Sequence, residues 1–403
     1  IGDSTFDFTG ASSAGDFADN AFIYVGGSAL VALPDLNANV AKGDSSAVLA
    51  SAPTLAANDI FCIYDPTNGS YQGNRPEYRK GEWIEALSVS GSTVNFKKTL
   101  EDAYVAATVD LYKHPGKRFQ IGGGKLTIKE ANGATFNSIA GVKLARLRDI
   151  DASAFKPTQS AYGGIYFEMC VGITGAKYKT EQSVVGGGGL QYGVVFGGCQ
   201  DVTIEGEFFG WRHAIATGGG SGAGFVVNRH FKISGIARNS PVAAAGICAV
   251  NTHGNTDNFR FVGTLDGGYC GGGNRIHCEG YFIGKSSQGG VVILLAEMSG
   301  CDYTFRGKVY TPANPGTISR GVVDMGGNAV GVLDASTYSG GKLDFDGLVI
   351  DAPIAQTGIK LVNRGYVGSE AIHISTRGTW MKPSSGTTPH LLATVISSGN
   401  AFN

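Results

Sequence analysis

Between Val202 and Gly378 one short pattern is written seven times: apolar and polar residues alternate, and the run closes on glycine. The copies are VTIEG, FKISG, FRFVG, IHCEG, YTFRG, LDFDG and IHISTRG, ending at Gly206, Gly235, Gly263, Gly280, Gly307, Gly347 and Gly378. Alternation with period two marks a strand with one buried face, and its return every few dozen residues marks a stacked solenoid of strands. Subtracting those positions gives intervals of 29, 28, 17, 27, 40 and 31 residues. The strand is constant and the connection is not, as expected when each turn of chain lays a strand beneath the last while its loops vary in solvent. The 17-residue interval leaves the turn through Tyr269 and Cys270 almost no loop.

A second set of apolar runs lies between the first: GIYFEM at Gly164, GVVFGG at Gly193, HAIATG at His213, GICAVN at Gly246, GVVILLA at Gly290, GVVDMG at Gly321 and GIKLVN at Gly358. Two strand columns alternating around one axis form an elongated prism, an all-β parallel β-helix with room for a third short strand. The endings at Asn251 and Asn363 place an amide ladder at one corner. In the first column the alternation turns Ile204, Ile233, Phe261, Cys278, Phe305, Phe345 and Ile374 inward.

Composition agrees. Glycine supplies 63 of 403 residues, well above the ~7% of average usage, while proline supplies 12 and no Gly-X-Y period occurs, which excludes collagen. Charged residues make up 16% and the net charge is −1, so there is no electrostatic case for a nucleic-acid partner or an anionic membrane. The longest apolar run, VVILLA from Val291, is too short for membrane insertion. The seven cysteines contain no C-x-x-C pair and read as buried filler, Cys278 among them. The opening IGDSTFDFTG shows no signal peptide, which fits synthesis in a reducing cytoplasm followed by action elsewhere. The glycine runs at Gly186, Gly218 and Gly271 lack the lysine and hydroxyl of a phosphate loop and read as turns, and no acidic cluster has the form of a calcium cage. No cofactor and no metal are expected.

Three regions follow. Residues 1–118 read as the first coil or coils interrupted by a small β-rich insertion, with an alanine-rich stretch and the charged, aromatic loop YDPTNGSYQGNRPEYRKGEW. Residues 119–380 carry the glycine-punctuated helix body. Residues 381–403 read as a tail or the stub of a removed domain.

The stacked copies from Gly164 to Gly378, together with STFDFTG and the insertion DIFCIYDPTNGSYQGNRPEYRKGEW, resemble the right-handed parallel β-helix of bacteriophage tailspike depolymerases, within the pectate-lyase-like group. The resemblance implies a homotrimer on a virion tail that acts outside the cell on a bacterial surface polysaccharide, a capsule or O-antigen. It also implies attachment to the tail or baseplate through an N-terminal head that this chain lacks, with Ile1 as a fragment boundary. The outward apolar Val262 fits a flank covered by another copy.

The outward residues of the first column form a ladder of acids and bases: Glu205, Lys232, Arg260, His277, Glu279, Arg306, Asp344, Asp346 and His373 among them. Glycoside hydrolysis uses two carboxyl groups ~5–5.5 Å or ~6.5–9.5 Å apart, depending on stereochemistry. Glu205 and Glu279 stand three coils apart, ~14 Å at the usual strand spacing, so each needs a nearer companion: Glu207 or a loop acid for Glu205, and Asp266 or Asp302 for Glu279. The segment EGEFFGWRHA adds Trp211, Arg212 and His213, the mixture of ring faces and hydrogen-bonding groups that sugars require, and Tyr269 and Tyr281 extend the strip. The expectation is endo-glycosidic hydrolysis, with Glu205, Glu207, Asp266 and Glu279 as candidate acids and bases. Trp211, Arg212, His213, Lys232, Arg260, Tyr269, His277 and Arg306 are the candidate substrate-binding residues. Two alternatives stay open: a lyase, in which Lys232, Arg260, His277 and Arg306 share the work of base and carboxylate neutralisation, and a spike that binds polysaccharide without cutting it.

The inward stack is testable directly. Phe261→Asp would bury an unpaired carboxyl between apolar rungs and is expected to cost several kcal/mol in chemical denaturation; melting like the wild type would show the register to be wrong.

Overall fold

The computed structural model describes residues 3–7, 21–68, 77–120, 124–129, 140–153, 155–159, 164–182, 192–240, 247–285, 293–295, 301–310, 323–324, 341–346, 349–351, 373–375 and 380–382. Parallel strands dominate it. In long strands such as Gln200–Gly210, Asn228–Asn239 and Val250–Asp266 the chain runs through the first column, bends at a glycine and continues into a third column. That third column begins with Ser4–Asp7, Gly124–Lys129, Phe155–Gln159 and Glu181–Gln182, which pair in that order. The second column stacks Ala21–Gly26, Ala140–Ala145, Ile165–Glu168, Tyr192–Gly197 and His213–Gly218, and continues through Val250, Tyr269, Ile293 and Val323.

The first-column register follows the sequence pattern. Ile204, Ile233, Phe261, Cys278 and Phe305 pair in succession, and all five are buried. Phe345 takes the next position beneath Phe305. One rung differs: Ile374 pairs with Leu343 and Ser375 with Asp344, two residues away from the alignment the sequence copies imply. The slip is even, two residues. The 17-residue rung is real and has no loop, with Tyr269 directly beneath Val250 and Cys278 beneath Phe261. The core is one continuous column of side chains in which Phe167 stacks on Phe196 at 5.3 Å, and Phe196 leads to Phe231 and Phe259.

The bend between the first and third columns falls at Gly206, Gly235, Gly263, Gly280 and Gly307, which lie in register. The last four have φ of +122°, +143°, +131° and +122°, outside the range of L side chains. A Cβ on any of these four would sit 1.9–2.0 Å from the carbonyl oxygen of the glycine before it. The closing residues Gly347 and Gly378 lie outside the described residues. The strand Trp380–Lys382 pairs with Val349–Asp351, so the third column continues past Gly378 and into the segment read as a tail. Of the expected amide ladder, Asn363 lies outside the described residues and Asn251 faces an imidazole. Asn251 donates to His213, while Asn228 and Asn255 stack at the entry to the first column and bond to the carbonyls of Asn255 and Val226 respectively.

Val31–Ala32, Ser46–Val48, Ile60–Asn68, Arg79–Ser90, Thr93–Phe96 and Asp110–Lys113 form an antiparallel sheet with its own core around Leu49, Phe61, Ile63 and Leu111. This unit docks against the corner between the second and first columns. Ile60, Cys62, Tyr64 and Trp83 pack on Met169, Val171 and Val226. Gln200 holds Trp83 by its backbone at both ends, accepting from its N–H at 3.0 Å and donating to its carbonyl at 2.8 Å, and the Trp83 indole donates to the Gly198 carbonyl at 2.8 Å. Along the same corner Asp149, Asp201, His230, Asn258 and Arg275 all have left-handed backbone, with φ between 48° and 59°. Glycine would take that conformation without strain, and side chains held there cost about 1–2 kcal/mol per residue. The side chains are in use: Asp201 receives Lys98 at 3.0 Å, and His230 and Arg275 meet Glu101 at 3.2 and 3.0 Å. The fully buried Arg229 joins Asp257 and Asp102 beneath them.

Gly263→Ala is expected to lower unfolding free energy by at least ~2 kcal/mol, through backbone strain and the clash with Gly235. Gly91→Ala, at a turn with φ of +58° and nothing within 4 Å, is the control for strain without a clash. Equal losses in the two variants, measured by chemical denaturation, would show that the stacked corner is not tightly packed.

Candidate functional site

Two outward rows run up the first column. One carries Asp151, Thr174, Thr203, Lys232, Arg260, His277, Thr304 and Asp344 in register. The other carries Glu205, Ser234, Val262, Glu279 and Arg306. Between them lies a shallow groove of about 500 Å³ whose lining includes Thr174, Thr203, Glu205, Lys232, Ser234, Arg260 and Val262. Pleating turns all of these side chains to one face, and the interstrand spacing of ~4.8 Å brings successive rungs into contact.

The face has a clear centre. Glu279 receives Arg260 at 3.5 Å, His277 Nε2 at 3.4 Å and Arg306 at 3.9 Å, so one carboxylate gathers three basic side chains from three consecutive rungs. Lys232 extends the basic row by one more rung and makes no ion pair among the described residues. Arg260 and Arg306 remain more than half exposed. Around Glu279 two arginines face one carboxylate, whereas over the two rows as a whole Lys232, Arg260 and Arg306 are matched by Glu205, Glu279, Asp151 and Asp344, so the surplus of positive charge that attracts an anionic ligand is local to the Glu279 cluster.

The acids are not assembled in pairs around this centre. Glu205 is exposed in the groove, three rungs from Glu279, with Ser234 and Val262 between them. Glu207 lies past the Gly206 bend, exposed, with Lys179 at 3.5 Å. Asp266 ends the third column, four residues beyond the neighbour of Glu279, and is taken by Arg238 at 2.8 Å and Lys285 at 3.6 Å. Asp302 stands at the opposite end of the first column, beside Tyr303, which pairs with Ile276. Neither of the last two is the companion of Glu279 that the sequence reading required.

Two of the expected binding residues are core. Tyr269 is fully buried, with its hydroxyl 2.5 Å from Thr252 Oγ1 and its ring 5.5 Å from Phe305. His213 is buried at the start of a second-column strand, stacked on Tyr192 at 5.5 Å. Its Nδ1–H donates to the Cys248 carbonyl at 2.6 Å, and Nε2 faces the Asn251 amide at 3.1 Å. Burial, helped by the nearby Arg212 charge, pushes its pKa down to about 3, while the Cys248 carbonyl opposes the shift. Trp211 and Arg212 are half-buried at the corner between the third and second columns, Trp211 against Phe209 and Arg212 over the Tyr192 ring. Thus Lys232, Arg260, His277, Glu279 and Arg306 share one face with Glu205, and the Trp211–His213 segment lies on another corner.

The sequence reading missed the densest group of charges. Where the antiparallel unit meets the helix, a cavity of about 310 Å³ is lined by Glu82, Trp83, Lys98, Glu101, Arg148, Asp201 and His230. His230 lies between Asp201 at 3.1 Å and Glu101 at 3.2 Å. Burial raises the Asp201 carboxyl, but His230 and Lys98 outweigh it and hold the group below the usual carboxylate range. The Lys98 and Glu101 contacts fasten the insertion to the helix, while His230–Asp201 ties two neighbouring rungs together.

A family model described as "Gp49, pectin lyase-like" matches residues 158–382, more than half of the chain. The chain belongs to this family. A second model, a tailspike protein-like Ig-like domain, matches residues 24–114, which span the antiparallel unit. Among solved structures, the tailspike protein gp49 of Pseudomonas phage LKA1 shares 27% identity at a TM-score of 0.75, covering 90% of this chain and 62% of that one. The Pseudomonas phage phi297 tailspike gp61 shares 23% at 0.74, covering 94% and 62%. The gp54 tailspike of Acinetobacter baumannii bacteriophage AP22, solved with A. baumannii capsular saccharide, shares 19% at 0.71, covering 94% and 59%. The last two establish the fold alone. This chain spans about six tenths of the length of those tailspikes. No curated protein matches.

The neutral, doubly bonded His213 gives a pH prediction. Its folded pKa lies below the unfolded value of 6.5, so its contribution is complete above pH 6.5 and is lost as pH falls toward about 3. From about pH 7 to pH 4 the loss is on the order of 3 kcal/mol. In urea titrations, His213→Gln should shed that part of the acid dependence; an unchanged slope would mean that the folded protein takes up the proton freely.

Proposed function

We propose that this chain is the polysaccharide-degrading body of a phage tailspike, acting outside the host cell on an anionic bacterial surface polysaccharide laid along the first-column face from Glu205 to Arg306. The observation that carries this reading is the run Lys232, Arg260, His277 and Arg306 on successive rungs around Glu279. Such a run can neutralise a uronate carboxylate and leave a base beside it. With its Nε2–H directed at Glu279, His277 keeps a lone pair on Nδ1 that can take the proton alpha to that carboxylate. Arg260 and Arg306 stabilise the negative charge that then develops; its electron pair forms the C=C bond as the bond from the neighbouring carbon to the glycosidic oxygen breaks, and that oxygen leaves with a proton from water, a β-elimination. Attachment to a virion tail and assembly as a homotrimer complete the proposal.

Hydrolysis is the second reading. Glu205 and Glu207 flank Gly206, both exposed, and are the two candidate acids that stand nearest each other in sequence on adjoining faces. Under that reading they act as acid and base, and the basic row only binds.

Incubation with purified capsular and O-antigen polysaccharides, following both reducing ends and ultraviolet absorbance of unsaturated uronate, separates elimination, hydrolysis and binding without cleavage. Elimination predicts that His277→Ala lowers turnover by at least ~10²-fold, that Arg260→Ala lowers it further through binding, and that Glu205→Gln and Glu207→Gln are near neutral. The opposite ranking, with reducing ends and no absorbance, would establish hydrolysis instead.

A further inference from the structure

We propose that the outer face of the third column, immediately past Gly280 and Gly307, is a second subsite, which stacks on the sugar residue next to the one held by Arg260, His277 and Arg306. The inference rests on the function proposed above and adds the path of the ligand: it crosses the glycine corner as well as running up the groove. Tyr281 follows Glu279 by two residues on the same strand, with Gly280 between them, and it is 52% exposed. Its ring stacks on Tyr310 at 6.0 Å with an interplanar angle of 19°. Lys308, the register partner of Tyr281, holds its ammonium 4.6 Å from the centre of the Tyr310 ring and follows Arg306 across Gly307.

A single exposed aromatic is ordinary, but two stacked rings in one surface patch beside the groove form the kind of feature that marks a binding site. The Tyr310 ring is backed by Tyr281 and has the Lys308 ammonium over it, which leaves the exposed Tyr281 ring as the open face of a platform, with an ammonium close by. The C–H face of a pyranose lies flat on such rings, and an ammonium beside them pairs with carboxylate or hydroxyl groups on the same sugar. Only glycine backbone separates the platform from Glu279 and Arg306, so no side chain at the bend obstructs a ligand that spans the two faces. The occupant is therefore the same anionic polysaccharide. A second copy of the chain would be held by a broad apolar face, whereas here the immediate register partners of Tyr281, Thr264 and Lys308, are polar and the exposed Ile236 stands two rungs away.

The test uses the full chain and the polysaccharide identified in the cleavage assay, with binding measured by calorimetry on fragments of that polysaccharide. Tyr281→Ala should weaken binding roughly 5- to 10-fold with an unchanged melting temperature, while Tyr281→Phe, which keeps the ring, stays close to wild type. Leu87→Ala, an equally exposed residue on the insertion, should be silent. If Arg260→Ala weakens binding and Tyr281→Ala does not, the platform is overturned and the groove stands. If neither weakens it, the groove reading fails as well. A lower mass by light scattering for Tyr281→Ala would also overturn the proposal, because the patch would then be an interface between copies.

Discussion

At one edge of the helix five glycines are stacked so closely that each carbonyl of one occupies the space a side chain of the next would need. Everything else in the body depends on that contact. It fixes the angle between the first and third columns, and it fixes register, because a shift by one residue would drive a side chain into the backbone below. Once register is fixed, the pleat delivers Ile204, Ile233, Phe261, Cys278 and Phe305 to the core and the acids and bases to the opposite face. The cluster around Glu279 is thus a product of backbone stacking, assembled from residues on three rungs with no loop to hold them.

The opposite corner solves a different problem. There the left-handed positions are occupied by charged and polar residues, and the strain they carry is offset by contacts with the antiparallel unit. Arg229 is closed in with two carboxylates, Asp257 and Asp102, and loss of both would leave its buried charge uncompensated, a situation that costs far more than the pair itself contributes. One corner is held by the absence of side chains, the other by their presence.

How much of this was legible in the sequence follows from the same geometry. The first column is buried on one face only, so alternation reports which way Ile233 or Lys232 points, and the polar ladder could be read without a structure. The second column is covered on both faces: Ile165–Glu168 and Tyr192–Gly197 are buried at every position. A strand of that kind has no alternation to read. His213 and Tyr269 begin such strands, which is why their polar atoms pointed to a surface role they do not have. The rung at Ile374 took a different partner from the one its sequence copy implied, because period two cannot distinguish shifts of two residues. The junction cluster was invisible for another reason. Glu101 and His230 are 129 residues apart and Glu101 and Arg275 are 174 apart, so only the folded chain brings them together.

The antiparallel unit is more than a decoration on the helix. Its contacts reach Arg148, Gln200, His230 and Arg275, residues on separate rungs of the stack. A solenoid whose repeats touch only their neighbours is prone to fray one repeat at a time from either end. A rigid body fastened across several repeats works as a splint, since none of the rungs beneath it can open without breaking contacts shared with the others. Cooperativity is therefore concentrated beneath the splint, whose hydrogen bonds among the described residues reach along the axis from Arg148 to Arg275.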